Sequence, residues 1–130
     1  MLDSAEAPVL WVVLEEAALR RLVGAPSVMR GQISRLIEVL DHPGITLRIL
    51  PLAAGAHSGT SGHFTYFRFK ERELQDIVYT EVGLTSALYY DQRRDVVPHL
   101  ETHTRMSQLA AKHIPDSRAY LTGLRKEFER

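Results

Sequence analysis

Two hydrophobic rhythms run along this chain, and the change from one to the other organises it. Residues 9–14 (VLWVVL) form an unbroken apolar run of strand length, rich in β-branched and aromatic side chains. Glu15 and Glu16 end it, and residues 17–22 predict a helical turn. Gly24-Ala25-Pro26-Ser27 reads as a helix start with Ser27 as the cap, and Val28, Ile33, Leu36, Ile37 and Leu40 follow at helical spacing. His42-Pro43-Gly44 stops that helix, which spans 27–40. Strand-like runs follow at 45–50, 64–70 and 77–81, and residues 87–90 either extend or follow the last of them. From Gln92 the period becomes helical. Val96, Val97, Leu100, Met106, Leu109 and Ala110 mark an amphipathic helix with Pro98 in or near its first turn. Pro115-Asp116-Ser117 breaks it, and Tyr120, Leu121, Leu124 and Phe128 mark a last helix.

The order β-α-β-β-β-α-α predicts an α+β fold with a mixed sheet of about four strands. The first two strands should be parallel and joined by the 27–40 helix, because a strand–helix–strand unit crosses over that way. The strands after them are linked by short turns and should be antiparallel. Residues 1–8 are small and polar and read as a linker stub, which leaves 9–130 as a single domain.

Composition narrows the function classes. The chain has 130 residues, 45% apolar and 25% charged, a soluble globular balance. Sixteen basic residues balance sixteen acidic ones, so the basic excess expected of a protein that binds DNA or an anionic membrane by itself is missing. No direct nucleic-acid contact and no membrane association are therefore expected. There is no cysteine, and hence neither disulfide nor thiolate chemistry. No apolar run is long enough to span a bilayer, and a cytoplasmic location is the expectation.

Candidate chemistry gathers around the segment LPLAAGAHSGTSGHF, residues 50–64. Gly55, Gly59 and Gly62 surround His57, and such a loop lets the backbone approach a ligand closely while contributing little packing. His57 is then a ligand contact or proton carrier, or simply a residue of a structural loop. Glu16 follows the first strand, where ligands bind in crossover folds. It either faces the glycine loop as an acid/base group or pairs with Arg20 one helical turn on. Tyr79 and Glu81 share one face of their strand. One pocket lined by Glu16, His57, Tyr79 and Glu81 is the resulting site hypothesis. If the chain is an enzyme, Glu16, His57 and Glu81 are its catalytic candidates. The basic pair Arg20-Arg21 offers a clamp for an acidic group, or plain solvated surface. His99, His103, Met106 and His113 share a helical stripe. Leu100 stands where the zinc-protease pattern needs glutamate, so the stripe is read as packing and no metal or cofactor is assigned. No Gly-Lys-Ser/Thr follows the glycines, which excludes a phosphate loop.

The segments LWVVLEEAALRRLVG, VMRGQISRLIEVLDHPGITLRILPLAAGAHSGTSGHFTYFRF and IVYTEVGLTSALYYD, taken in order, resemble the C-terminal domain of actinobacterial Xre-type helix-turn-helix regulators. That family has no known molecular function and is grouped with antitoxin-like transcriptional regulators. The resemblance runs from about Leu10 to Leu121. It rests on the Trp/Val-rich strand, acidic pair and Ala-Leu-Arg-Arg at residues 11–21, on Leu50, Pro51, Gly55, His57, Gly59, Gly62 and Phe64, and on Tyr79 and Glu81. Leu22, His63 and His103 depart from it. It implies a regulatory domain that binds a small molecule or a partner protein and forms a homodimer, and the chain is expected to depart from the family in lacking the DNA-binding domain. Glu16, Arg20, His57, Tyr79 and Glu81 would be the ligand-binding residues. The alternative is a stand-alone biosynthetic enzyme using the same pocket. The last helix, with its apolar face, is the expected dimer contact.

Overall fold

The structure, a computed structural model, describes residues 4–59 and 62–129. Residues 1–3 of the N-terminal stub, Thr60 and Ser61 of the glycine loop, and Arg130 lie outside the described residues. The chain divides into two compact units, Met1–Gly55 with Leu109–Arg130, and Ala56–Gln108.

The first unit opens with strand β1 (Leu10–Glu15), helix α1 (Glu16–Arg20), helix α2 (Pro26–Val39) and strand β2 (Ile45–Leu50). A single 3-10 turn, Leu52–Ala54, follows. The unit is completed by the end of helix α3 (Arg93–His113) and by helix α4 (Ser117–Glu127). β1 and β2 pair in parallel from Leu10↔Ile45 to Glu15↔Leu50, as the strand–helix–strand pattern predicts. α2 starts one residue early. Pro26 takes its first turn, Ala25 is the cap residue, and no side chain caps it, so Ser27 does not serve as the cap. Proline at the first helical position has no N–H to leave unpaired and its φ is already helical, so it starts the helix one residue before Ser27.

The core of this unit joins Ile33 of α2, Leu47 and Ile49 of β2, and Leu121 and Leu124 of α4, with Leu19 and Ile114 at its margin. Ile33, Ile49 and Leu121 have no exposed surface. Tyr120 and Phe128 pack against the same cluster. The apolar face of α4 is thus packed inside its own unit, against α2 and β2. Asp116 caps α4 by accepting from the Ala119 N–H at 3.0 Å, and the buried Ser117 hydroxyl donates to the Leu47 carbonyl at 2.9 Å.

The second unit holds strands β3 (Phe64–Phe67), β4 (Ile77–Val82) and β5 (Ser86–Tyr90) and the first part of α3. The three strands form an antiparallel sheet in the order β3-β4-β5. The fold is α+β, but its strands are five among the described residues and lie in two sheets. The expected mixed sheet of about four strands is corrected on both counts. β5 is a strand of its own because Gly83, at φ +67°, turns the chain back after Val82, and the hairpin closes at Val82↔Ser86.

Strand register sorts the side chains of this sheet onto two faces. Phe64, Tyr66, Val78, Thr80, Leu88 and Tyr90 share one face. Val78 is fully buried there, and the His99 ring of α3 lies edge-on to Phe64 (centroids 5.0 Å) and stacks on Tyr90 (5.4 Å). The packing reading of His99 is therefore met. Thr65, Phe67, Ile77, Tyr79, Glu81, Ala87 and Tyr89 share the other face. Pro98 lies inside α3, in its second turn, and leaves the Arg94 carbonyl without its helical N–H donor.

Candidate functional site

Glu16 and Arg20 stand at the two ends of α1, one turn apart, so their side chains meet. The Glu16 side chain is only 13% exposed, with Arg20 Nε 3.5 Å from its Oε2. Tyr120 of α4 donates its hydroxyl to Glu16 Oε1 at 2.7 Å. Arg20 Nη1 donates to Glu127 Oε2 at 2.7 Å. Partial burial, the hydrogen bond to Glu16 and the charge of Glu16 push the Tyr120 phenol up to about 12, against the opposing charge of Arg20. The Glu127 hydrogen bond raises Arg20 further above its ordinary value. Of the two readings of Glu16, the pairing with Arg20 is the one present. The group braces α1 against α4. A phenol donor and a guanidinium both stabilise the ionised carboxylate, which makes Glu16 a weaker proton acceptor than a free one.

The glycine loop is a packed structure. Gly55, at φ +77°, adopts a backbone conformation that other residues resist. His57 Nδ1 accepts from the Gly59 N–H at 3.1 Å and closes a tight turn. A Cβ on Gly59 would lie 2.1 Å from the Met106 sulfur, so the absence of a side chain lets the loop lie directly on α3. The expectation that this loop contributes little packing is corrected at Gly59.

Tyr79 and Glu81 meet on the outer face of the antiparallel sheet, where the Tyr79 hydroxyl donates to Glu81 Oε1 at 3.1 Å. That hydrogen bond is the first cause that raises the Tyr79 phenol above its ordinary value. The histidine within ion-pair reach of Glu81 is His63, with Nε2 3.4 Å from Oε2. The register Phe64↔Thr80 carries residue 63 to the place opposite residue 81, and the Thr80 hydroxyl donates to the His63 carbonyl at 2.9 Å. Periodicity cannot reveal the register between strands joined through residues 68–76, so nothing in the local pattern singles out His63. Glu16 and Arg20 belong to the first unit, and His57, Tyr79 and Glu81 to the second.

Around Tyr79 the outer face is aromatic and open. Tyr89 is 71% exposed and Phe67 45%. The Tyr79 and Tyr89 rings lie 5.1 Å apart at 52°. Leu84, at the hairpin tip, is fully exposed. The clue in the sequence was the doubled aromatic pattern of FTYF and ALYY, in which both strand faces carry rings. The first unit carries a shallow, open depression of about 490 Å³ beside Thr46, Arg48 and Arg118. It holds none of the residues nominated from the sequence. Among the described residues no cluster of three histidine or acidic side chains is placed to hold a metal ion, and no helix is long and apolar enough to cross a membrane.

A family model described as Domain of unknown function (DUF5753) matches residues 1–122. The chain belongs to this family. The DUF5753 match takes in β1 to β5 and the first half of α4, so both units belong to it. No curated protein and no solved structure matches the chain.

Proposed function

We propose that this DUF5753 chain is the partner-binding regulatory domain of a transcriptional regulator, as its resemblance to Xre-type regulators implies, and that it meets its partner on the outer face of the antiparallel sheet. The observation that carries this reading is the aromatic surface of Phe67, Tyr79 and Tyr89, open to solvent and bordered by Glu81 and His63. Small-molecule sites are concave and enclose most of their ligand, whereas this face is a sheet surface. Exposed aromatic side chains inside a polar rim suit a protein surface, since buried aromatics supply much of the affinity in such contacts.

The test is made at the native locus. Phe67→Glu places a charge on the aromatic surface, at its β3 edge, without touching the buried side of the sheet. Its transcript profile should match that of a deletion strain. Val28→Glu, which charges an exposed apolar position on α2, should match wild type. A Phe67→Glu strain with the wild-type profile, where deletion changes transcripts, would overturn the assigned surface. A deletion that changes no transcript would overturn the regulatory role itself.

A further inference from the structure

The outer edge of the same sheet carries an independent inference, one that stands whether or not the aromatic face binds a partner. Among the described residues β5 pairs with β4 on one side only. Its sequence, Ser86-Ala87-Leu88-Tyr89-Tyr90, contains no charge, no proline and no glycine. Natural edge strands are usually defended by such residues, because an edge presents a row of unpaired N–H and C=O groups. Four of the five β5 residues are exposed, and Leu88 and Tyr89 are 46% and 71% exposed.

We propose that β5 pairs antiparallel with β5 of a second copy of this chain, across a two-fold axis centred on Leu88. Side-chain sizes select this occupant and this centre. With Leu88 opposite its own counterpart, Ala87 of each copy faces Tyr89 of the other, and Ser86 faces Tyr90. Every aromatic ring then meets a small neighbour on its own face of the sheet, which suits cross-strand packing. Beyond the strand, Asp91 comes opposite Thr85, so no like charges are set against each other. Cyclic two-fold dimers with self-complementary patches are the commonest assembly of soluble chains. The product is a continuous six-stranded antiparallel sheet, and it brings two copies of the aromatic face side by side.

Sedimentation of the full chain across a concentration series tests the pairing. Wild type should dimerise in the micromolar range. Leu88→Lys and Leu88→Glu should each raise the dimer dissociation constant at least tenfold, with unchanged circular dichroism. An equimolar mixture of the two variants should restore the dimer, because residue 88 faces its own counterpart. Alternate amides of β5 should gain hydrogen-exchange protection as the dimer forms. A wild-type chain that stays monomeric at several hundred micromolar overturns the proposal. So does a dimer that tolerates both Leu88 variants, and a mixture that stays monomeric overturns the assigned centre. None of these outcomes bears on Phe67, so this test and the transcript test fail separately.

Discussion

At the residue scale, two contacts give quantities to measure. Gly59→Ala forces a methyl group against the Met106 sulfur, where the nominal separation is 2.1 Å. Overpacking of this kind costs about 1–3 kcal/mol, and the flexible thioether favours the lower end. Urea unfolding should show that loss, and adding Met106→Ala should recover part of it. A double variant whose losses simply add would mean that the contact does not limit the loop. The second contact is Tyr120 with Glu16. Tyr120→Phe removes a hydrogen bond to a half-buried carboxylate and should cost about 1 kcal/mol at neutral pH. The folded phenol titrates near 12 against an ordinary value of 10. The folded state therefore holds the Tyr120 proton more tightly than the unfolded chain does. The stability this contributes is complete below pH 10 and is lost as pH rises from 10 through 12. Wild type should consequently lose more stability than Tyr120→Phe between pH 9.5 and pH 11.5. Parallel curves for the two proteins would place the tyrosine proton elsewhere.

At the scale of elements, the strands and helices were largely legible because each has a strong period of its own. The apolar run of β1, the helical stripe of α2 and the last helix all stand where the pattern puts them, to within about two residues at their ends. Two details escaped. Ser27 looked like a cap because the cap preference for serine is strong, but the proline before it already starts the helix. The face of α4 looked like a spare surface because an amphipathic pattern says that a stripe is buried without saying against what. Here the cover comes from α2 and β2. Leu121→Ala should accordingly cost about 2–5 kcal/mol in urea unfolding, the range for a buried leucine truncated in a core. A loss below 1 kcal/mol would contradict the intramolecular burial of that face.

At the scale of the whole molecule, the two units differ in how much they bury. The first contains Leu19, Met29, Ile33, Leu47, Ile49, Leu50, Ala110, Ile114, Leu121 and Leu124 as buried apolar residues; the second contains Val78 and Val96. Local opening follows the density of buried apolar contacts. Amides of β3, β4 and β5 in dilute monomer should therefore exchange faster than those of α2, β2 and α4. Equal protection throughout would show that the chain opens only as one body. The sequence by itself determined the α+β class, the parallel pairing of β1 and β2 through a helix, and the turn between Tyr79 and Tyr90's strands only in part. These are properties of local period and of short connections, and both are written in neighbouring residues. It also placed Tyr79 and Glu81 on one face, since alternation along a single strand suffices for that. Tertiary structure alone decided the separation into two sheets, the choice of His63 as the neighbour of Glu81, the capture of Glu16 by Tyr120, and the need for glycine at position 59. Each joins residues distant in sequence through a register or a packing contact, and a local pattern carries no information about which distant partner it will meet.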